Sequence, residues 1–283
     1  MSETATEAVD AIRVAEDYYD SPDADTFYSE IWGGEDIHIG LYELGDTIAQ
    51  ASRKTVADMA MRLKALKEGA KVLDLGSGYG GAARYLATRH GARVTCVNLS
   101  DVENARNHQL SADQGLSDRI EVVHSAFEDI PVKDGTFDVA WSQDAFLHSA
   151  DRTKVLSEAV RALRPGGELI FTDPMQADDL TDTSVLQPIY DRIHLGDLAT
   201  VRFYRETLGA LGMEEVGVDL MTDQLSTHYD RVRQELEGRR AELEGRVSGD
   251  YIDRMLAGLG HWVTAGNGGH LVWGILHFRK PKA

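Results

Sequence analysis

The sequence is poor in cysteine and in lysine, and it contains no long apolar run. Cys96 is the single cysteine among 283 residues, so no disulfide can form within the chain. Its neighbours Val94, Thr95 and Val97 predict a buried strand, in which a thiol only fills apolar space. No stretch approaches the ~18 consecutive apolar residues of a membrane span. These absences argue against a disulfide-stabilised or membrane-spanning protein.

Negative charge dominates the composition. The chain has 47 Asp and Glu against 29 Lys and Arg, which gives a net charge of −18. A protein that binds nucleic acid or an anionic membrane needs clustered cations, and the sequence has no such cluster. We therefore expect neither partner. Only 8 of the 29 cations are lysines, and abundant Asp with scarce Lys resembles proteins of salt-loving organisms, although an ordinary acidic enzyme is the alternative.

The start of the sequence, MSETATEAVD, is acidic and has no apolar signal core. We therefore expect a cytoplasmic protein. The length predicts one large domain, or one domain with a lid. Nothing in the sequence distinguishes a monomer from a small homo-oligomer.

From about residue 70 onward, short apolar runs alternate with amphipathic stretches. This alternation predicts a mostly parallel sheet covered by helices on both faces, with ligands bound beyond the carboxyl ends of the strands. The predicted strands are 71–75, 93–98, 120–124, 137–142, 168–172, 215–220 and 270–279. The predicted helices are 46–66, 81–89, 102–112, 151–163 and 227–246.

A glycine-rich stretch, VLDLGSGYGG at 72–81, joins the first strand to the next helix. Gly76, Gly78 and Gly81 fit the spacing of dinucleotide-binding loops, so a nicotinamide oxidoreductase or a non-catalytic binding module stays possible at this point. However, Asp74 precedes the first glycine, and a carboxylate is unfavourable beside a pyrophosphate. It suits a cationic or hydroxyl-bearing ligand, such as the amino-acid end of S-adenosylmethionine.

The glycine loop, the strand at 93–98 and the turn LRPGG at 163–167 together resemble the class I S-adenosylmethionine-dependent methyltransferases. The resemblance covers about 47–220, with 269–279 as the last strand. It implies a seven-stranded, mostly parallel, Rossmann-like sheet with helices on both faces and a helical insertion after strand five. It also implies S-adenosylmethionine as cofactor and no metal.

The resemblance further implies where the cofactor binds. The usual acid at the end of strand two is replaced by Asn98, as in the branch that includes small-amine N-methyltransferases and cyclopropane fatty acid synthases. An amide can donate to and accept from ribose hydroxyls. Phe127 would contact the adenine. The candidate cofactor-binding residues are Trp32, Asp74, Gly76, Gly78, Asn98, Leu99, Asn104, Ala126, Phe127 and Gln143.

Three stretches, 27–40, 141–148 and 189–195, closely resemble the sarcosine/dimethylglycine N-methyltransferases and more loosely the phosphoethanolamine N-methyltransferases. The implied reaction is N-methylation of sarcosine and dimethylglycine to glycine betaine. The alternatives are a phosphoethanolamine-type or other small-amine N-methyltransferase, and more remotely a cyclopropane-type lipid enzyme.

The acceptor amine must lose a proton, and His148 is the candidate general base. Asp144 comes four residues earlier, at helical spacing, so one helix face could carry both side chains. Tyr28 or water is the alternative proton acceptor. The candidate substrate-binding residues are Arg192 for the carboxylate, with Tyr190, His194 and Tyr204 beside it in the insertion, and Trp141 at the end of strand four as an aromatic face for the ammonium.

The predicted organisation is an N-terminal lid, 1–46, on a methyltransferase domain, 47–283. Within that domain, 174–210 and 221–268 would form helical segments on the substrate side. Glycines in the lid segment would let it close over the cofactor.

Overall fold

A computed structural model of the protein describes residues 21–149, 151–193 and 196–282; of Ile193 only the backbone is described. Its strands form one sheet in the order β3-β2-β1-β4-β5-β7-β6. The first five strands are parallel, and β7 runs antiparallel between β5 and β6. The strands are β1 Lys71–Leu75, β2 Arg93–Asn98, β3 Ile120–His124, β4 Phe137–Gln143, β5 Leu163–Gln176, β6 Glu214–Leu220 and β7 Leu271–Arg279.

Helices cover both faces of the sheet and one of its edges. They are α1 Pro22–Glu30, α2 Ile48–Arg62, α3 Gly81–His90, α4 Asp101–Asp113, α5 Arg152–Ala162, α6 Gln187–Ile193, α7 Val201–Ala210, α8 Thr222–Gly238, α9 Arg240–Leu243 and α10 Gly249–Asn267. Two 3₁₀ turns, Phe146–His148 and Thr183–Leu186, follow β4 and β5. No helix within these described ranges is long and apolar enough to cross a membrane.

The predicted seven-stranded, mostly parallel sheet is confirmed, and the predicted strands lie within one or two residues of the observed ones except at β5. That strand extends from Leu163 to Gln176, because its second half pairs along its length with β7. The charged helix predicted at 227–246 begins earlier, at Thr222, and is divided at Arg239 into α8 and α9. The glycine-containing helix α10 has no counterpart among the individual helices predicted.

Three apolar clusters stabilise the molecule. One lies under α2 and α3 on one face of the sheet, and a second lies under α5 and α7 on the other. The third joins α1 to α6, α8 and α10, and Phe27, Trp32, Tyr229 and Trp262 are among its rings. Apolar side chains of residues 24–39 are therefore packed among the helices that follow β5 and β6; residues 1–20 of the predicted lid lie outside the described residues.

The carboxylate of Glu168 ties the sheet to the connection between α2 and β1. Its Oε2 accepts the Ala65 N–H at 2.6 Å, and its Oε1 accepts from Arg279 Nη2 at 2.7 Å, with His277 Nε2 at 3.4 Å. Burial would raise the pKa of Glu168, but the hydrogen bonds from His277 and Arg279 outweigh it and hold the pKa at about 2. Glu168 is therefore a buried, ionised carboxylate that links β5 to β7 and to the connection before β1.

Replacing Glu168 by Ala should lower the free energy of unfolding by about 3 kcal/mol, because the partly buried Arg279 guanidinium and the Ala65 N–H lose their shared acceptor. Urea denaturation measures this. The control is Glu215→Ala, which removes an exposed ion pair with Arg205 and should change stability by less than about 1 kcal/mol. The folded pKa lies below the ordinary 4.5, so the contribution is present above that pH and is lost as the pH falls towards 2. Equal effects of the two variants would contradict this account.

Candidate functional site

Two neighbouring cavities lie where the carboxyl ends of β1 and β4 meet the N-terminal segment. We call the first the glycine-loop cavity; its lining is Glu35, Asp36, Ile37, His38, Asp74, Gly76, Ser77, Gly81, Ala82 and Gln143. We call the second the aromatic cavity; its lining is Tyr28, Trp32, Ile37, His38, Ile39, Asp144, Leu147, His148, Pro174, Arg192, Tyr229 and Trp262. Ile37 and His38 line both cavities.

We name residues 35–40 the strap; they have no regular secondary structure. The glycine loop lies directly against the strap. A Cβ on Gly81 would lie 2.2 Å from Asp36 Oδ1, and one on Gly78 would lie 3.0 Å from Ile37 Cδ1. Gly76 has φ +76°, and its Cβ would lie 2.3 Å from that of Ala145. The glycines therefore permit close packing of the strap, in addition to the close ligand approach expected from the sequence.

The lining of the glycine-loop cavity contains buried polar atoms that make no hydrogen bond with the described part of the chain. Asp36 Oδ1 and Asp74 Oδ2 are acceptors, while His38 Nε2 and Gln143 Nε2 are the nitrogens. Trp141 Nε1 donates to Gln143 Oε1 at 3.0 Å, which leaves the amide N–H groups of Gln143 for another partner. Unsatisfied buried acceptors beside unsatisfied donors fit the ammonium and carboxylate of an amino-acid moiety.

Asp74 lies at the centre of this polar cluster. Burial raises its pKa to about 7, so binding of a cation beside it would favour the ionised form. This placement fits the methionine end of S-adenosylmethionine. No group of three or more metal-binding side chains occurs in the residues whose placement is described.

At the other end of the glycine loop, Asn98 and Asn104 lie together, as their candidate role requires. Asn104 Nδ2 donates to the Asn98 carbonyl at 3.2 Å. Asn98 Nδ2 donates to Glu103 Oε2 at 2.9 Å. Glu103 is a buried carboxylate that the sequence reasoning missed; the S-x-x-E pattern beginning at Ser100 was the available signal. An acid therefore lies beside the amide that occupies the usual acidic position.

The adenine candidates lie beside the glycine loop. The ring of Phe127 approaches Gly76 and meets Phe146 edge to face at 6.4 Å between centroids. Ala126, the preceding residue, and Leu99, which follows β2, are partly exposed. The contact of Phe127 with Gly76 places the adenine candidate at the glycine loop.

Asp144 holds the strap against the sheet. Its Oδ2 accepts the Ile39 N–H at 2.7 Å, and its Oδ1 accepts from Trp273 Nε1 at 2.8 Å. The predicted helical pairing of Asp144 with His148 is wrong. Asp144 has φ +50° and precedes a 3₁₀ turn, so the two do not share a helix face. The recorded bonds of the carboxylate position the strap.

His148 lines the aromatic cavity from the 3₁₀ turn after β4. The turn is fixed by hydrogen bonds from the Leu147 N–H to Asp173 Oδ1, at 3.1 Å, and from Arg152 Nη2 to the Leu147 carbonyl, at 3.2 Å. Burial, assisted by the charge of Arg152, lowers the pKa of His148 to about 4. The imidazole is therefore neutral at physiological pH.

Four rings of the aromatic cavity come from three separate elements. Tyr28 and Trp32 lie 5.4 Å apart, and Tyr229 stacks on Trp262 at 4.9 Å. Tyr229 is a site residue that the sequence reasoning missed, since it looks like any apolar position of α8. Electron-rich ring faces around a small cavity can stabilise a cationic ligand.

Arg192 is a sequence candidate that does reach the aromatic cavity. Its guanidinium lies against Gly258 of α10, and its Nη2 donates to Met255 Sδ at 3.2 Å. Arg205, by contrast, is engaged by Glu215 at the surface. The close passage of Arg192 over a glycine shows that α10 positions its guanidinium.

Three predicted substrate residues are placed elsewhere. Trp141 is fully buried under α2 and α3, because β4 directs it into the core. Tyr204 is also fully buried, and its hydroxyl donates to Asp173 Oδ2 at 2.6 Å. Tyr190 donates to Gln176 Oε1 at 2.8 Å, outside the cavity lining. The sequence predicts that these three side chains contact the substrate. Instead they pack against, or hydrogen-bond to, neighbouring residues. His194 lies outside the described residues.

His38 is the third residue that the sequence reasoning missed, after Glu103 and Tyr229, although it stands within the stretch 27–40. Its Nε2 lies 3.7 Å from Asp36 Oδ1, and its ring Nδ1 lies 3.2 Å from the Ile39 carbonyl. Burial opposes protonation, but the neighbouring Asp36 outweighs it and raises the pKa of His38 above its ordinary value. The strap thus carries a buried ion pair between the two cavities.

Comparison with known proteins agrees with this geometry. A family described as a methyltransferase domain matches residues 73–171. The sarcosine/dimethylglycine N-methyltransferase of Halorhodospira halochloris is 56% identical over 95% of this chain and 97% of its own. The sarcosine/dimethylglycine N-methyltransferase of Aphanothece halophytica is 50% identical over 98% of this chain and 100% of its own.

Solved structures give the same result. A crystal structure of a candidate sarcosine dimethylglycine methyltransferase from Galdieria sulphuraria has TM-score 0.89 and 42% identity, covering 94% of this chain and all of the other. A Haemonchus contortus phosphoethanolamine N-methyltransferase has TM-score 0.81 at 20% identity, covering 94% of this chain and 60% of the other. At that identity the likeness concerns the fold alone.

Replacing Asp144 by Asn should loosen the strap without disturbing the backbone, because Asn tolerates positive φ. Its single acceptor oxygen cannot serve both Ile39 and Trp273. A typical hydrogen bond contributes roughly 0.5–1.5 kcal/mol, so exchange of the Ile39 amide hydrogen should accelerate by about 2- to 10-fold. Hydrogen exchange followed by NMR measures this, with Glu43→Gln as control at an exposed position. An unchanged Ile39 rate would contradict the positioning role.

Proposed function

Because the chain belongs to the sarcosine/dimethylglycine N-methyltransferases, which are S-adenosylmethionine-dependent enzymes, we propose that it methylates sarcosine and dimethylglycine to glycine betaine. The observation that carries the proposal is the pairing of two cavities across the strap. One cavity offers polar groups that match an amino-acid moiety, and the other offers aromatic rings, an imidazole and a guanidinium.

The glycine-loop cavity would hold the cofactor, which supplies an electrophilic methyl group on a sulfonium when bound. Asp74 and Gln143 would take its methionine end, with Gly76 and Gly78 allowing close approach. Asn98 and its neighbours Glu103 and Asn104 would hold the ribose hydroxyls. So held, the cofactor would supply its methyl group to the neighbouring aromatic cavity, which shares Ile37 and His38 with the glycine-loop cavity.

Methyl transfer requires the acceptor nitrogen to be unprotonated. The amine of dimethylglycine is mostly protonated at pH 7, so the site must accept a proton or select the neutral form. His148 is neutral because its pKa lies near 4, and its ring lines the acceptor cavity with Tyr28. We assign His148 the role of proton acceptor, with Tyr28 beside it to orient the amine.

The remaining lining residues suit the charges of a betaine precursor. Tyr28, Trp32, Tyr229 and Trp262 present ring faces that stabilise the developing quaternary ammonium. Arg192 would pair with the substrate carboxylate, since a guanidinium fork matches a carboxylate. The site would then recognise both ends of an N-methylated glycine.

A phosphoethanolamine-type activity is the alternative. A phosphate dianion requires several cations around it, whereas the recorded lining offers Arg192 and the strap's His38. That supply of positive charge matches a monoanionic carboxylate better. The lining therefore favours an amino-acid amine as the acceptor.

A labelled methyl-transfer assay tests the proposal directly. We expect turnover with sarcosine and dimethylglycine, with Arg192→Lys raising KM about tenfold through loss of the paired hydrogen bonds. The assay should include glycine and phosphoethanolamine and a series of salt concentrations. Activity confined to phosphoethanolamine, or none with any of the four amines, would overturn the proposed function.

Replacing His148 by Ala should lower kcat by about 100- to 10,000-fold, the usual contribution of a general base. S-adenosylhomocysteine affinity, measured by calorimetry, should change by less than about threefold, because this side chain lines the acceptor cavity only. His108→Ala, at an exposed position of α4, is the control. Parallel losses of turnover and cofactor affinity would argue against the assignment.

The pH profile gives a second check on His148. Since its pKa is lowered to about 4, the imidazole is unprotonated throughout the neutral range. With His148 taking the proton of the bound ammonium form, the kcat/KM for dimethylglycine should stay level through the neutral range, above the pKa of the imidazole and below that of the substrate amine, without an inflection near pH 6.5. An inflection there that disappears in His148→Ala would contradict the buried, neutral state.

A further inference from the structure

The strap, residues 35–40, contains two buried titratable side chains, Asp36 and His38. Asp36 and His38 are nearly fully buried, and both face the glycine-loop cavity. The Oδ2 of Asp36 pairs with Arg53 Nη2 at 3.2 Å, while its Oδ1 has no hydrogen bond within the described ranges. His38 Nε2, 3.7 Å from that Oδ1, also has none. Asp36 Oδ1 and His38 Nε2 are therefore both available for a ligand in the glycine-loop cavity.

The surroundings favour the charged forms of both groups. Burial opposes ionisation of Asp36, but His38, Arg53 and Arg84 hold its pKa below the ordinary value. The carboxylate also lies against the N-terminus of α3, at Gly81, where helix geometry favours an anion. Burial opposes protonation of His38, but its proximity to Asp36 and Asp144 outweighs it and raises its pKa above the ordinary value. The strap therefore presents a carboxylate beside an imidazole whose cationic form is favoured.

This pair is complementary to a zwitterion. The methionine end of S-adenosylmethionine carries an ammonium and a carboxylate on one carbon, so one anionic and one cationic group can bind it at once. Asp74, across the cavity, supplies a second carboxylate oxygen for the ammonium, and Gln143 supplies amide donors for the carboxylate.

We propose that Asp36 and His38 of the strap bind the ammonium and the carboxylate of the cofactor's methionine moiety, and that cofactor binding thereby completes the acceptor cavity. The inference rests on the proposed function for the identity of the cofactor. Its second part follows from continuity of the chain: Ile37, His38 and Ile39 also line the aromatic cavity.

The hydrogen bonds of the strap explain how the two cavities communicate. Ser52 Oγ donates to the His38 carbonyl at 3.0 Å, and Thr55 Oγ1 donates to the Ile39 carbonyl at 2.8 Å. The Gly40 N–H donates to His228 Nδ1 at 3.2 Å. The backbone of residues 38–40 is thus held by α2 and α8, whereas the His38 side chain, which lines both cavities, has Nε2 without a hydrogen bond in the described residues. A ligand that binds this atom fixes a side chain shared by the two cavities.

Calorimetry with two ligands tests the inference. S-adenosylhomocysteine has the amino-acid end, and 5′-methylthioadenosine lacks it. Asp36→Asn should weaken S-adenosylhomocysteine binding by about 10- to 100-fold and leave 5′-methylthioadenosine binding within about threefold. Glu43→Gln, an exposed carboxylate beyond the strap, is the matched control and should alter neither affinity.

His38→Gln should show the same ligand-selective loss, and it keeps the test decisive if Asp36→Asn does not fold. Equal losses for both ligands, or no loss for either, would overturn the inference. The outcome is separable from the proposed function. Wild-type protein that shows the ligand preference but methylates none of the tested amines would sink the proposed substrates and leave the strap's role intact.

Discussion

The hydrogen bond from the Ile39 N–H to the Asp144 carboxylate is the interaction on which the geometry of both cavities depends. Asp144 is itself held by Trp273 of β7, so the bond connects the N-terminal segment to the centre of the sheet. Without a fixed strap, Asp36 would not lie on the glycine loop and His38 would not separate the cavities. A short irregular segment is thus placed by buried polar groups rather than by secondary structure.

The net charge of the chain is opposite in sign to that of Arg192 and of protonated His38 in the aromatic cavity. The chain as a whole is strongly anionic, with net charge −18, and its surface arginines are largely paired with carboxylates, as in Arg161 with Glu158 and Asp134. Such exposed pairs are screened by salt. Arg192 and His38 line the aromatic cavity. Under the proposals made above, they would supply local positive charge to the carboxylates of substrate and cofactor despite the overall negative charge of the chain.

The sheet and the glycine loop could be predicted because their signals are local: short apolar runs, a Gly-rich turn and the turn before β5. Glu103 was missed although its signal is local, but the contacts that place the strap are distant in sequence and left no such signal. Ile39 meets Asp144 across 105 positions, and Gly40 meets His228 across 188. The pairing of Asp144 with His148 failed because spacing of four implies a helix, whereas Asp144 adopts φ +50°. The prediction that Trp141 contacts the substrate was wrong because the alternation of side chains along β4 directs its ring into the core.

The central claim is that one strap belongs to both cavities, so cofactor and acceptor must bind cooperatively. The most direct measurement is the dissociation constant of dimethylglycine with and without saturating S-adenosylhomocysteine, by calorimetry. A strap completed by the cofactor predicts at least about tenfold tighter dimethylglycine binding in its presence, a coupling within the ordinary range. Equal dissociation constants in the two conditions would contradict the account.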